Sequence, residues 1–394
     1  MTALATFEYR WRTPETLLSV EDYRAAARRR LPHMVWEYVD GGADDLVTLQ
    51  ENRAAFARWS LVPRVLRAVG QPDLRTTVAG VDLELPVLLA PTGFSGLAHW
   101  RGDVAAARAA ERHGTRHVLS TSASWSIEEL ARATSARHFF QLYPKSGVLT
   151  RDLLRRAWDA GTRVMLVTVD VPVIGNREGE RRRGMGQPPV FTPVRGLDAL
   201  RHPIWLYGLL RHGRVGARNL VEDRGMRAAA ESVAMQSREL MQSTLTWDDL
   251  FWLRQQWKGA LLVKGVLAPE DAVHAADLGV DGVVVSNHGG RQLDVAQASL
   301  DALPGVVAAV GDRLEVLLDG GVRRGTDVVT ALALGARAVL VGRPYLYGLA
   351  VGGEAGVSGV LDVLKTELER ALALLGVHSA AGLDRTVLTR RNAR

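Results

Sequence analysis

The sequence feature that most restricts the fold of this 394-residue chain is a repeated unit: a short apolar run, a polar or glycine-bearing loop, then an amphipathic helical stretch. Short apolar runs flanked by turn residues are typical of strands buried in a parallel sheet. Eight such runs occur from residue 86 onward: Val87 to Ala90, His117 to Leu119, His138 to Leu142, Val164 to Val169, Ala260 to Val263, Gly282 to Val285, Val316 to Leu318 and Ala338 to Val341.

Helical patterns separate most of these runs. They are Asp103 to Arg112, Val148 to Ala160, Pro269 to Asp277, Asp327 to Leu334 and Gly356 to Leu375. Strands that alternate with helices predict a parallel sheet with crossover helices, and eight units favour a closed (β/α)8 TIM barrel over an open sheet. The length fits one barrel with insertions, so we predict a single domain over residues 1–394, with the barrel at 86–375.

Residues 19–58 are predicted to form an N-terminal helical cover, not a separate domain. The sequence from Ser19 to Asp22 resembles an N-cap with acids in the first turn, and Pro32 suits the start of the next helix. Tyr38 precedes a glycine turn at the end of this cover. Its side chain is interpreted either as packing or as part of a site.

A long insertion, about residues 175–245, breaks the strand-helix spacing after the fourth strand, and its length predicts a mobile segment. It contains Pro188-Pro189 and the apolar patch Pro203 to Leu210. Several arginines accompany the patch: Arg195, Arg201, Arg211, Arg214 and Arg218. This composition favours seating on an anionic bilayer, while an active-site lid or a subunit contact explains it equally well.

Composition excludes several classes of function. The chain has no cysteine, which excludes disulfides, iron-sulfur clusters and a thiolate nucleophile. The net charge of +6 comes almost entirely from arginine, acids are interspersed, and no nucleic-acid motif accompanies it, so no nucleic-acid partner is predicted. Residues 1–13 lack a signal-peptide core and no apolar run reaches spanning length. We therefore predict a cytoplasmic protein, either soluble or attached peripherally to the inner face of the plasma membrane.

Polar or glycine residues follow all eight predicted strands, at the end of the barrel where catalytic groups lie. Any one of these groups could be a turn or a cap, but eight of them around one mouth predict a binding site. They are Pro91-Thr92-Gly93, Ser120-Thr121-Ser122, Gln141-Leu142-Tyr143, Thr168-Val169-Asp170, Lys264-Gly265, Ser286-Asn287-His288, Asp319-Gly320-Gly321-Val322-Arg323 and Gly342-Arg343-Pro344.

Two features of this ring indicate a cofactor. Glycines and arginines after the seventh and eighth strands are where barrels of this type hold a phosphate, so a phosphate-bearing ligand is predicted. Lys264 ends a buried strand, where an ammonium is costly unless an anionic or electron-rich group faces it. An electron-accepting cofactor fits the rest of the ring, and a Schiff base is the alternative.

The run from Ser286 to Asp294 carries the predicted catalytic chemistry. His288 stands three residues before Arg291, with two glycines between them, so that the histidine can face a small anion bound by the arginine. The alternative is a hydrogen-bonded loop histidine without catalytic function. Asp170 can stabilise protonated His288, and Arg177 with Arg291 can supply two guanidiniums to one carboxylate.

With these motifs assembled, the sequence resembles the FMN-dependent L-2-hydroxy acid oxidases and dehydrogenases, the family of glycolate oxidase, L-lactate dehydrogenase and mandelate dehydrogenase. The resemblance runs from about Ser19 to Leu375, and the runs Ser286 to Asp294 and Leu318 to Asp327 are its most specific parts. It implies a barrel with the flavin at its mouth and a homotetramer.

By matched motif, the resemblance implies that His288 is the base and Asp170 its partner. It implies that Arg177 and Arg291 bind the substrate carboxylate, and that Tyr38 and Tyr143 contact the substrate. Lys264 is expected beside the pyrimidine end of the flavin. The residues expected to contact FMN are Pro91, Thr92, Gly93, Ser120, Gln141, Thr168, Lys264, Ser286, Asp319, Gly321, Arg323, Gly342 and Arg343.

Three further features of the resemblance concern specificity. Gly93 stands where many family oxidases have alanine and several dehydrogenases have glycine, which favours a non-oxygen acceptor such as a quinone. Ser122 stands where glycolate oxidase has a bulky aromatic residue, which leaves room for a large substrate side chain. The insertion looks like the membrane-contacting loop of the lactate and mandelate dehydrogenases.

The function expected is oxidation of an L-2-hydroxy acid, mandelate-like or lactate-like, to the 2-oxo acid. Whether a hydride or a proton leaves the alpha carbon first is open at this stage. The alternatives are an oxygen-using oxidase or monooxygenase, a tailoring oxidase that acts on a biosynthetic or peptide intermediate, and a flavin-binding or lipid-surface protein without turnover.

Overall fold

The computed structural model describes residues 17–144, 147–186, 189–221 and 245–391. Within these ranges no helix is long and apolar enough to cross a membrane. The predictions on residues 1–13 and Pro188, and most of the second half of the insertion, lie outside the described residues.

The strands are β1 Trp59–Leu61, β2 Thr76–Val78, β3 Val81–Leu83, β4 Val87–Leu89, β5 Val118–Ser120, β6 Phe139–Leu142, β7 Val164–Thr168, β8 Ala260–Val266, β9 Gly282–Val285, β10 Glu315–Asp319, β11 Val339–Val341 and β12 Leu388–Arg390. The centre of the fold is a barrel of parallel strands, hydrogen-bonded in the order β4-β11-β10-β9-β8-β7-β6-β5. An isolated parallel bridge between Leu89 and His117 brings the two ends of this order together, so the barrel is nearly closed. The TIM-barrel prediction is confirmed.

The barrel interior explains why only one end is open. Alternate strand residues point inward, and Leu88, Leu166 and Leu317 belong to one buried cluster inside the ring. Val78 and Leu83, from the antiparallel hairpin β2–β3, belong to the same cluster. Since the interior is filled with side chains and covered by this hairpin, the cavity lies at the carboxyl ends of the strands.

Helices surround the barrel where the sequence predicted them, with one difference. The last helix begins at Arg343 instead of Gly356, because Gly352 and Gly353 interrupt it with non-helical angles (φ −155° and 57°) and obscure its first turns in the sequence pattern. The helices are α1 Val20–Arg30, α2 His33–Asp40, α3 Val47–Ala57, α4 Gly102–Arg112, α5 Ile127–Ala133, α6 Gly147–Asp159, α7 Glu178–Arg183, α8 Pro193–Leu200, α9 Pro203–His212, α10 Trp247–Gln256, α11 Pro269–Asp277, α12 Ser299–Val310, α13 Gly325–Ala333 and α14 Arg343–Leu375.

The N-terminal cover, α1 to α3, is fixed to the loop that follows β9. Asp294 of this loop caps α3 by accepting hydrogen bonds from the backbone of Asp45, Val47 and Thr48, at 3.1, 3.2 and 2.7 Å. Further along α3, the amides of Asn52 and Asn287 exchange two hydrogen bonds of 2.8 Å each, and both residues are buried. The cover thereby holds the loop that carries His288.

The cover also begins as the sequence predicted. The hydroxyl of Ser19 accepts a hydrogen bond from the backbone N–H of Asp22, so Ser19 is the N-cap of α1, and α2 begins directly after Pro32. The prediction of a single domain over the whole chain stays a prediction.

The described part of the insertion follows the fourth barrel strand and forms α7, α8 and α9. Trp205 of α9 turns toward the barrel, where its indole N–H donates to the carbonyl of Leu97 at 2.6 Å. Other apolar side chains of α8 and α9 are exposed. We call them the α8–α9 apolar surface: Val194, Leu197, Leu200, Ile204, Tyr207 and Leu210.

Candidate active site

A cavity of about 320 Å³ occupies the mouth of the barrel. Its volume lies in the range of cofactor and substrate pockets. The predicted site residues that line it are Tyr38, Pro91, Thr92, Gly93, Ser120, Tyr143, Arg177, Lys264, His288, Arg291, Asp319, Gly321, Arg323, Gly342 and Arg343.

The remaining predicted residues do not line the cavity. Gln141, Asp170 and Ser286 contact residues that line it, and Thr168 contacts Gln141. Gln141 accepts a hydrogen bond from the hydroxyl of Ser120 at 3.1 Å and donates one to Thr168 at 2.9 Å. Asp170 is hydrogen-bonded to His288, and the hydroxyl of Ser286 accepts a hydrogen bond from Lys264. These side chains fix the orientation of the groups that line the cavity.

His288 adopts a left-handed backbone conformation with φ of 58°, which is uncommon for a residue with a side chain. Its Nδ1 lies 3.0 Å from Oδ1 of Asp170, and its Nε2 lies 3.5 Å from the hydroxyl of Tyr143. In the neutral tautomer that donates from Nδ1 to Asp170, Nε2 carries a free electron pair. Such a nitrogen can accept a proton from a ligand in the cavity.

A bulge in β8 makes room for Asp170. The register of β8 against β9 shifts between Lys264 and Val266, and Gly265 in the bulge has φ of 110°. A Cβ at Gly265 would lie 2.6 Å from the Cβ of Asp170, so only glycine permits this approach.

Burial lowers the pKa of His288, and the nearby carboxylate of Asp170 opposes this without reversing it. Burial alone would raise the pKa of Asp170, but His288 and Lys264 bring it below its usual value. The pair is therefore a neutral imidazole bonded to an ionised carboxylate at neutral pH, which is the state that a base requires.

Lys264 is buried, and its ammonium lies 3.0 Å from Oδ2 of Asp319 and 2.9 Å from the hydroxyl of Ser286. Burial lowers the pKa of Lys264, but the charges of Asp319 and Asp170 outweigh it and raise the pKa overall. A protonated ammonium has no free electron pair, which argues against the Schiff-base alternative. The sequence indicated that Lys264 needs an anionic neighbour, but it did not identify Asp319.

Arg177 and Arg291 lie side by side, as expected, but a carboxylate that the sequence analysis missed lies between them. Glu180 accepts a hydrogen bond from Nη2 of Arg291 at 2.7 Å, and the same oxygen is 4.0 Å from Nε of Arg177. Glu180 is buried and lines the cavity. Its position three residues after Arg177, in a helix, was the available signal.

Tyr38 belongs to the site and not only to the core of the cover. Its hydroxyl donates to the carbonyl of Gly93 at 3.0 Å, and the guanidinium of Arg291 lies 5.3 Å from its ring centroid. Burial raises the pKa of Tyr38 to about 12 and also raises the pKa of Tyr143. Both phenols are therefore protonated at neutral pH and can act as hydrogen-bond donors.

The residues after β10 and β11 fit a phosphate. Arg343 donates to the carbonyls of Gly289 and Gly41 at 2.9 and 2.7 Å, but its Nε and that of Arg323 are buried without a partner in the described structure. Burial, with the charges of Arg291 and Arg323, lowers the pKa of Arg343 to about 9. An anion with several acceptor oxygens would pair these N–H groups and offset the repulsion.

The fold and this mouth define a class of protein: a TIM barrel with a pocket at the carboxyl ends of its strands that can hold a phosphate-bearing cofactor. The sequence model of the FMN-dependent dehydrogenases matches residues 27–390, and the chain belongs to this family. Its cofactor is therefore FMN. The ring of buried cations and unpaired donors described above fits that group.

Individual relatives are similar over nearly the whole chain. An L-lactate dehydrogenase of Caulobacter sp. strain K31 is 45% identical over 374 residues, which cover 94% of this chain and 98% of the relative. An L-lactate oxidase of Nostoc sp. strain PCC 7120 is also 45% identical, over 94% of this chain and 98% of its own length. The crystal structure of the monotopic membrane protein (S)-mandelate dehydrogenase superposes with a TM-score of 0.91 and 40% identity, over 95% of this chain and all of that one.

Proposed function

We propose that this enzyme oxidises an L-2-hydroxy acid to the 2-oxo acid, with His288 as the base. The observation that carries the proposal is the placement of His288, bonded to Asp170, in one cavity with Arg177 and Arg291. A base next to two guanidiniums suits a substrate that carries a hydroxyl beside a carboxylate. When bound, FMN supplies the two-electron acceptor.

In the proposed mechanism, Arg177 and Arg291 bind the substrate carboxylate and thereby bring the hydroxyl toward Nε2 of His288. Nε2 takes the hydroxyl proton, and Asp170 stabilises the resulting imidazolium through Nδ1. If the alpha proton leaves first, the same nitrogen is the base. The hydroxyl of Tyr143, 3.5 Å from Nε2, is placed to donate a hydrogen bond to the substrate oxygen.

The cofactor is proposed to lie between Lys264 and the two arginines of the phosphate end. Arg323 and Arg343 would hold the phosphate. The paired ammonium of Lys264 would face the ring and stabilise negative charge there, an electrostatic effect that is strong in a cavity that excludes water.

The cavity favours a large, apolar substrate side chain, closer to mandelate than to lactate. Ser122, which is small, lines the cavity. Apolar side chains from the described insertion and from the loop after β4 complete this wall: Phe94, Leu97, Met185, Phe191, Trp205 and Leu209. Burial of an aromatic ring against such a wall contributes about 2 kcal/mol or more to binding.

A test of the proposed function is reduction of the bound FMN without oxygen by a panel of 2-hydroxy acids. We expect the flavin absorbance to bleach with L-mandelate and more slowly with L-lactate, and to persist with the D enantiomers, since the base and the clamp fix one face of the alpha carbon. A yellow protein that no acid in the panel bleaches would support the alternative of a flavin binder without turnover.

The proposed electron acceptor is a quinone. The supporting feature is Gly93, because many oxidases of the family have alanine at this position. The carbonyl of Gly93 accepts a hydrogen bond from the hydroxyl of Tyr38. The relatives include both dehydrogenases and an oxidase, so an oxygen-using enzyme is the second candidate. Peroxide formed per substrate consumed separates the two. The homotetramer and the tailoring substrates implied by the resemblance also stay predictions.

We further propose that the α8–α9 apolar surface contacts the inner face of the plasma membrane. Ile204 and Leu210 are 87% and 78% exposed, which is costly for a face that stays in water. Arg201 directly follows α8 and Arg211 lies on α9, so both can meet anionic headgroups. A solved neighbour is described as a monotopic membrane protein, which supports the proposal.

Sedimentation with vesicles tests this contact. We expect the wild type to sediment with phosphatidylglycerol vesicles. The Ile204→Glu, Leu210→Glu double variant should partition onto the vesicles about tenfold or more weakly, because charges replace two aliphatic side chains that would be buried in the bilayer. Leu374→Glu is the control, since Leu374 is 63% exposed on a different helix, α14. Equal partitioning of the double variant and the wild type would contradict the proposal.

A further inference from the structure

Glu180 is a buried carboxylate inside a pocket that, on the proposed function, binds a carboxylate. One oxygen of Glu180 contacts Arg291 at 2.7 Å and lies 4.0 Å from Arg177. Its side chain is 7% exposed, and it lines the same cavity as both arginines. A negative group in this place repels the substrate that the arginines attract, so its presence requires an explanation.

The charges around the cavity explain what Glu180 does. Two guanidiniums carry two positive charges, and Glu180 cancels one of them. Among the described residues, the other charged groups near the two arginines include the ion pair of Lys264 with Asp319, which cancels internally, and Asp170, which is bonded to His288. Arg343 also interacts with Arg291, but it belongs to the end of the cavity that is proposed to hold the phosphate. Burial and the neighbouring Arg291 lower the pKa of Arg177, and Glu180 opposes both effects.

We infer that Glu180 is a specificity-determining residue that restricts the substrate to a single carboxylate. This inference rests on the proposed function. With Glu180 ionised, the two arginines have one net positive charge to offer, which a monocarboxylate neutralises. A dicarboxylate would bring a second negative charge into the cavity that Glu180 lines. No cation would remain to meet that charge, because Arg323 and Arg343 would hold the phosphate. The enzyme therefore excludes 2-hydroxy diacids by charge and not by volume alone.

The geometry separates this role from simple positioning of Arg291. Glutamine at position 180 keeps the carbonyl oxygen that accepts from Arg291 and keeps the volume, but it removes the charge. Coulomb energy scales with ligand charge, so the loss of one negative charge favours a dianion about twice as much as a monoanion. If Glu180 only positioned Arg291, its replacement would instead weaken the binding of the monoanion and of the dianion to the same extent.

The test compares malonate with malonamate, two unreactive ligands of almost the same shape that differ by one negative charge. Binding to the FMN-loaded enzyme is measured by calorimetry. For the wild type we expect malonamate to bind more tightly. In Glu180→Gln we expect the ratio of the malonate to the malonamate dissociation constant to fall by about tenfold or more. Glu180→Asp, which keeps the charge while it alters the geometry, should keep the wild-type ratio.

Glu178→Gln is the matched control, because Glu178 lies on the same helix but is ion-paired with Arg182 at the surface. Its ratio should equal that of the wild type. A Glu180→Gln ratio within twofold of the wild-type ratio, or an equal change in Glu180→Asp, would overturn the inference while leaving the proposed oxidation intact. Failure of both ligands to bind the wild type would overturn the carboxylate pocket itself, and with it both proposals.

Discussion

Replacing His288 with asparagine is expected to slow reduction of the bound FMN by an L-2-hydroxy acid by about 10²- to 10⁴-fold, the range of a lost general base. Asparagine can still hydrogen-bond to Asp170, but it has no nitrogen that accepts a proton at neutral pH. Stopped-flow absorbance under anaerobic conditions measures the rate. His378→Asn, which changes an exposed histidine far along the chain, is the control and should react as the wild type does.

The same residue predicts the pH dependence of the reaction. Neutral His288 is the active form, and burial places its pKa below the ordinary value. As pH falls, kcat/KM should therefore stay constant through the usual histidine range of about 6.5 and decline only at more acidic pH. A His288→Asn enzyme that reduces its flavin within tenfold of the wild-type rate, or a wild-type profile that already falls above pH of about 7, would remove His288 as the base.

Replacing Lys264 with methionine is expected to lower the free energy of unfolding by about 3–5 kcal/mol, the usual cost of removing one partner from a buried ion pair. The change leaves the carboxylate of Asp319 buried, with its Oδ2 no longer paired. Urea unfolding of the FMN-free and FMN-loaded protein measures the loss. The rate of flavin reduction should also fall, since no cation then faces the proposed ring position.

The double variant Lys264→Met, Asp319→Asn distinguishes the two effects. Removing both charges should restore most of the lost stability, because no buried charge is left alone. The rate of flavin reduction should stay low, because the cation is still missing. Recovery of the rate together with the stability would show that Lys264 only balances Asp319 and has no direct electrostatic part in the chemistry.

The barrel could be predicted from the sequence because its signals are local. Most barrel strands are short runs rich in valine or leucine and are buried on both faces, as in Gly282–Val285, and a polar or glycine-bearing loop follows each strand. Strand ends of a parallel barrel meet at one mouth, so the positions of His288, Asp170 and the arginines also followed once the strands were known. Their relative distances did not.

The sequence could not predict the pairings between residues that are far apart in the chain. Arg291 and Glu180 are 111 residues apart, and Asn52 and Asn287 are 235 apart. Nothing in the local pattern of either partner specifies the other. Lys264 and Asp319 form such a pair as well, so the sequence indicated the need for an anion without naming it.

The helix that begins at Arg343 was missed for a different reason. Its first part is separated from the rest by Gly352 and Gly353, whose conformations are not helical. Two adjacent glycines weaken a helical pattern, so periodicity alone places the start of the helix after them. The structure shows instead that Arg343, which is proposed to bind the phosphate, is the first residue of this helix, where backbone N–H groups also favour an anion.

A single anaerobic turnover of the FMN-loaded enzyme with L-mandelate tests most directly whether one cavity brings a base and two guanidiniums to a substrate beside FMN. Reduced flavin and 2-oxo acid are both measured. The expected result is one 2-oxo acid formed for each flavin reduced, at a rate that depends on His288. Reduction of the flavin without formation of the 2-oxo acid, or a full yield at the wild-type rate from the His288→Asn enzyme, would contradict it.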